Sequence, residues 1–259
     1  MPPFAAESLV DQDTVTRTAA QASLSTTYLL YMATSGVLAS VALLSNSVPI
    51  LIGSMIVAPL MAPLALVPLA LGMRRRAEAM QGSYVALVGL VVAFVAALLT
   101  TALMDIAGVV ASDAVLLSHP LLAERVHPGW WSMAAAVAAG LAGTVAQARE
   151  KTEVIIGTVA ALALVPAVGA LAIAVFLGAL APALGALLLL GMNVGLILAM
   201  GTIVVLASQG RAGLRPLAIG PVVIIVVLAF LLVWAQDSGT VPETPGNAAT
   251  SSPAPPENP

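Results

Sequence analysis

The sequence has no cysteine and only two histidines in 259 residues, and 8% of it is charged. Without cysteine, disulfides, thiolate chemistry and cysteine-ligated metals are excluded. Charge is missing in long blocks as well. Residues 18–73 contain no Asp, Glu, Lys or Arg, and neither do residues 154–210. Proton pumps and voltage sensors need charges inside the membrane, so this near-absence argues against both. No Gly-x-Ser-x-Gly or His-Glu-x-x-His string occurs. No nucleophile–base pair or metal set can be assembled, so the chain reads as non-enzymatic, and it names no cofactor. The net charge of −3 is small and dispersed, which speaks against a nucleic-acid partner. The opening "MPPFAAESLVDQDTVTRTAAQ" lacks the basic region and short apolar core of a secretory signal peptide.

What is present is apolar: 60% of the residues are hydrophobic. A soluble domain of this length cannot hide that much apolar surface. The lipid bilayer is therefore the expected solvent, and the expected class is an all-α, polytopic transmembrane helix bundle. Apolar runs near the ~20 residues needed to cross fall at 25–45, 48–72, 82–107, 131–148, 153–178, 182–208 and 216–235, which makes about seven spans. They divide the chain into an N-terminal segment 1–24, a first triplet 25–107 and an interfacial loop 108–130. A second triplet 131–208, a seventh helix 209–236 and a tail 237–259 follow. The tail is rich in Pro, Ser, Thr and Gly, so disorder is expected there. The loop should hold a short interfacial helix. Its histidines, His119 and His127, have no helical ligand spacing, so no metal site is expected.

If all seven runs cross, one face receives Arg17, Arg74, Arg75, Arg76, Arg149, Lys151, Arg211 and Arg215, and the other only Arg125. Positive charge favours the cytoplasm. The expected topology is a multi-pass plasma-membrane protein with a cytoplasmic N-terminus and an extracytoplasmic C-terminus. Trp130, Trp131 and Trp234 then fall at the outer interface, as an aromatic belt. Arg74, Arg75, Arg76, Arg149 and Lys151 read first as topology anchors. They are also candidates for contact with anionic lipid or a soluble anion.

The run "NSVPILIGSMIVAPLMAPLALVPLALG" (46–72) carries four prolines. Proline removes a helical hydrogen bond and frees the carbonyl four residues back. Pro59 and Pro63 would free the carbonyls of Met55 and Pro59. Gly53, Ser54 and Ala58 would let another backbone approach. "IIGTVAALALVP" (155–166) echoes this run: Gly53 and Ser54 match Gly157 and Thr158, and Pro166 follows. Each run is second in a set of three helices, which suggests an inverted repeat of three plus three with proline-broken second helices. A simple kink at each proline is the alternative. Asn193 sits in the middle of another apolar run and must face protein or water. It is either a ligand contact or an interhelical hydrogen bond. Gly191, Gly195 and Ala199 around it suit close packing. The hydroxyls of 25–40 either line a pathway or bond to their own backbone, the reading preferred here. Thin faces on 134–147 suit intrachain packing and a homo-oligomer.

These residues also resemble a known family. Ile52, Gly53, Ser54, Met55, Ala58, Pro59, Leu60, Met61 and Pro63 resemble the "IGAM-hydrophobic-APLM-x-P" signature of domain-of-unknown-function family 389, hydrophobic membrane proteins of bacteria and archaea. Residues 154–174 resemble its Gly-to-Leu-Val-Pro segment, and 187–201 its Asn-containing helix. Ser54 and Ala167 depart from its pattern. The resemblance implies a transmembrane core and no reaction. The substrate-binding candidates are Gly53, Ser54, Met55, Pro59, Pro63, Gly157, Pro166 and Asn193. Three classes of function remain: a transporter or channel for a small solute or ion, a non-transporting sensor of an anionic metabolite at the cytoplasmic face, and a structural membrane oligomer.

Overall fold

The computed structural model describes residues 11–110, 116, 119–126, 129–148 and 154–208, with side chains of the last segment from Leu164 onward. Among the described residues every regular element is a helix: α1 (Gln12–Gln21), α2 (Thr26–Leu44), α3 (Val48–Val57), α4 (Met61–Gly72), α5 (Arg76–Ile106), α6 (Pro120–Val126), α7 (Trp130–Ala148), α8 (Val154–Phe176) and α9 (Leu180–Ser208). The expected seventh helix, the tail, Arg149 and Lys151 lie outside the described residues. α2, α5, α7 and α9 are each long and apolar enough to cross a membrane, and the bent α3–α4 pair makes a fifth if it is one span. α8 contributes a shorter apolar stretch, Leu164–Phe176.

Local sequence explains where the helices start and stop. Asp11 opens α1 by accepting the Thr14 amide at 2.7 Å, and Ser25 opens α2 by accepting the Tyr28 amide at 3.1 Å. α2, α4, α5 and α8 close in the same way. In each, two amides past the end fold back onto carbonyls of the last turn, and one residue takes a left-handed conformation. Those residues are Asn46, Arg74, Gly108 and Gly178.

α2 and α5 pack side by side in the same direction. Tyr28 donates to the Val85 carbonyl at 3.0 Å, Gly36 meets Ala93, and Ser40 pairs with Thr101 at 2.9 Å. The positions rise together along both helices. The α3–α4 pair therefore carries the chain back from the end of α2 to the start of α5. α7 and α9 are parallel as well: Ala136 clusters with Leu189 and Met192, and a Cβ at Gly140 would meet Ile197 and Met200. α3–α4 and α8 lie between the two parallel pairs and pack on each other.

The expected proline break in 48–72 is present. It falls at Ala58–Leu60, and the halves meet at a bend of 49°. Ala58 is extended, with ψ 114°, because a residue before proline is pushed out of the helical region. Pro63 does not break a helix. It sits in the first turn of α4, where its missing N–H is no loss. The break expected in the other second helix is corrected, since α8 runs continuously through Pro166.

The N-terminal segment holds a docked helix. Val15, Thr14 and Thr18 on α1 are buried, and α1 packs on α4, α5 and α7. Gln81 Nε2 donates to the carbonyls of Ala19 and Ala22, each at 2.9 Å, and Gln147 donates to Gln21. Gln81→Ala leaves two α1 carbonyls without their donor. A lost hydrogen bond of this kind costs about 1 kcal/mol. Trypsin should then cut after Arg17 roughly 5- to 30-fold faster, read by mass spectrometry of the clipped peptide. Unchanged cleavage would show that α1 is held by packing alone.

Hydrogen bonds from Thr14, the backbone one foremost, hold the Asp11 carboxyl below its ordinary 3.8. A depressed carboxyl stabilises the fold above its unfolded value and loses that effect as pH falls through the folded one. The Thr14 amide should stay protected at pH 5. Its protection, corrected for intrinsic exchange, should fall only below about 4.

Candidate functional site

The broken element packs into the bundle on both sides of its break: α3 on α2 and α8, and α4 on α1, α5, α7, α8 and α9. The last four carbonyls of α3 are those of Ser54, Met55, Ile56 and Val57, and a helix leaves such groups without intrahelical partners. One is satisfied from outside: Ser35 Oγ on α2 donates to the Ser54 carbonyl at 2.8 Å. Ser54 Oγ in turn donates to the Leu51 carbonyl at 2.6 Å. Both serines are fully buried. Among the described residues no donor pairs with the carbonyls of Met55, Ile56 or Val57. On the other side of the break, α4 starts at Leu60 without a side-chain cap. The first bond of its ladder is Leu64 N–H to the Leu60 carbonyl at 3.2 Å. The break thus sets helix-end carbonyls beside helix-start amides, in a stretch without any ionisable side chain.

The candidates fall into place unevenly. Ser54 and Met55 are buried on α3, Pro59 is half-buried in the break, and Pro63 is buried on α4. Gly157 and Pro166 lie on α8, which packs on both α3 and α4. Asn193 is 1% exposed on α9, which packs on α4, α7 and α8. Gly53 is not a close-approach glycine, because a Cβ there would meet nothing within 4 Å. Gly191 is likewise open. Close approach occurs instead at Gly82, where a Cβ would sit 2.6 Å from the Pro63 carbonyl, and at Gly201, where one would sit 2.8 Å from Pro68.

The three arginines separate into two kinds. Arg75 is engaged: it pairs with Glu78 through Nε at 2.9 Å and Nη2 at 2.5 Å. It also reaches α1 at Thr16 Oγ1 (2.8 Å) and the Gln12 carbonyl (3.3 Å). Arg74 and Arg76 are exposed.

Sequence reasoning missed Ser35. The hydroxyl-rich stretch 25–40 was expected to bond to its own backbone. Thr100 and Thr101 do so on α5. Tyr28, Ser35 and Ser40 instead bond to other helices. The signal was there, as hydroxyls set on one side of an otherwise apolar helix, but the partner is not adjacent in sequence.

Fold and site together define an all-helical, multi-pass membrane protein with a broken helix at its core. The family model described as "Domain of unknown function (DUF389)" matches residues 55–199, more than half of the chain, and the chain belongs to this family. The match takes in the break, Gly157, Pro166 and Asn193. No curated protein and no solved structure matches.

Proposed function

We propose that this protein moves a small solute or ion across the membrane through the break between α3 and α4. The observation that carries the reading is the set of α3 carbonyls that have no donor among the described residues. Backbone polar groups at membrane depth persist only where they face protein or water. Discontinuous helices between paired repeats supply such groups in secondary transporters.

The helix directions support an inverted repeat. α2 and α5 run one way. The Gln147–Gln21 bond joins the end of α7 to the end of α1, beside the start of α2. The second parallel pair, α7 and α9, then runs opposite to the first. With α8 read as a crossing beside the five candidate spans, six crossings would precede the expected seventh helix, and the basic residues favour a cytoplasmic N-terminus. Exposed Ala134, Ala138 and Ala142 give α7 a thin face suited to a second copy of the chain.

The test is flux into proteoliposomes for a panel of monovalent ions, inorganic anions and small neutral solutes. At least one should move faster than in protein-free vesicles. Ser35→Ala strips the donor from the Ser54 carbonyl, a change of about 1–3 kcal/mol. It should alter that flux severalfold while the protein stays folded. A folded protein that moves nothing on the panel would sink the proposal.

A further inference from the structure

We propose that Arg74 and Arg76 form a binding site for the phosphate of an anionic lipid headgroup, with Arg75 as its internal support. The inference is independent of transport. It starts from the backbone. Four helices end with one residue in the left-handed region. α5 and α8 use Gly108 and Gly178, and α2 uses Asn46. These are residue types that tolerate positive φ. α4 uses Arg74, at φ +59°. The closing bonds are the same as elsewhere, from Arg74 N to the Leu71 carbonyl (3.1 Å) and from Arg75 N to the Ala70 carbonyl (2.8 Å). Glycine would make this turn with less strain. The strain therefore accompanies a side chain whose use lies elsewhere.

The side chain's surroundings show what that use is. Arg75 is neutralised by Glu78 and tied to α1. Arg74 and Arg76 are exposed, and among the described residues neither has an acid or hydrogen-bond partner. Two unspent guanidinium groups thus flank one that is spent. Leu71 stands three residues before Arg74, and Met80 and Tyr84 stand four and eight residues after Arg76 on α5; all three are exposed, at 51%, 72% and 60%. Exposed apolar side chains close in sequence to two exposed arginines match a lipid: chains against the apolar residues, phosphate against the guanidinium forks. Topology alone does not account for Arg74. Charge at Arg75 and Arg76 would satisfy a positive-inside bias without straining the turn.

The test uses detergent-purified full chain and follows thermal unfolding while phosphatidylglycerol, phosphatidylcholine or inorganic phosphate is added. Phosphatidylglycerol should stabilise the protein, and the other two should not. Arg74→Gly should give opposite signs in the two arms. Without added lipid its melting temperature should rise, because the turn relaxes. Its apparent affinity for phosphatidylglycerol should fall roughly fivefold. Arg76→Gln should lose affinity similarly without the rise. Arg74→Lys should keep most of the affinity and show no rise. Equal stabilisation by phosphatidylcholine would overturn the anionic site, and equal stabilisation by inorganic phosphate would overturn the lipid assignment. Arg74→Gly that binds phosphatidylglycerol like the parent would overturn the role of Arg74.

Discussion

Adding one methyl group at Gly36 should cost about 1–3 kcal/mol or more, enough to lower the yield of folded protein in membranes. Gly36 is buried where α2 lies against α5. A Cβ there would overlap the Ala93 carbonyl oxygen, with the carbonyl carbon at 2.8 Å and the Cα at 2.9 Å. All three are backbone atoms inside a helix and cannot rotate away. The two helices would have to separate, and the separation would stretch Tyr28–Val85 and Ser40–Thr101 as well. Close backbone approach is a principal source of stability between helices in lipid, since lipid tails are as apolar as the side chains. Two controls set the scale. Gly143→Ala meets only the flexible end of the Met61 side chain, which can move. Gly53→Ala meets nothing and should gain about 1 kcal/mol in helix propensity. Melting temperatures of the three variants in one detergent check the order. If Gly36→Ala melted with the parent, the α2–α5 contact would be looser than described.

Pro59→Ala should lower flux at least about tenfold, the equivalent of 1.4 kcal/mol, without unfolding the protein. Pro59 acts twice. It lacks the N–H that would reach the Met55 carbonyl, and it holds Ala58 extended. Alanine removes both constraints. α3 can then run on toward α4, its last carbonyls find donors, and the polar break closes. The melting temperature should hold or rise. Pro63→Ala is the matched control: Pro63 stands in the first turn of α4, where an added N–H changes little. Its flux should stay near that of the parent. Equal flux in the parent and both variants would mean that the break is a kink with no part in transport.

These two substitutions show how far reading the chain alone could go. Pro59 and Pro63 look alike in "APLMAP", four residues apart in one apolar run. The difference between them is where α4 begins, and only the folded chain decides that. Ser35 and Ser40 could be seen as hydroxyls on an apolar helix, but their partners lie 19 and 61 residues away. α1 carried a local signal in its capping Asp11. Its docking depends on Gln81, Gln147 and Arg75, which come from other elements.

The sequence by itself determined the solvent, the helical class and most helix ends. Those depend on average composition and on short-range groups: apolar runs, capping side chains and the conformational limits of proline. Tertiary structure decided which helices run parallel, which glycine carries close contact, and why Arg74, Arg75 and Arg76 have different roles. The physical reason is the bilayer. A helix facing lipid on one side and protein on the other is apolar on both, so its packing face leaves little pattern in the sequence. Contacts between elements far apart in the chain had to supply that information.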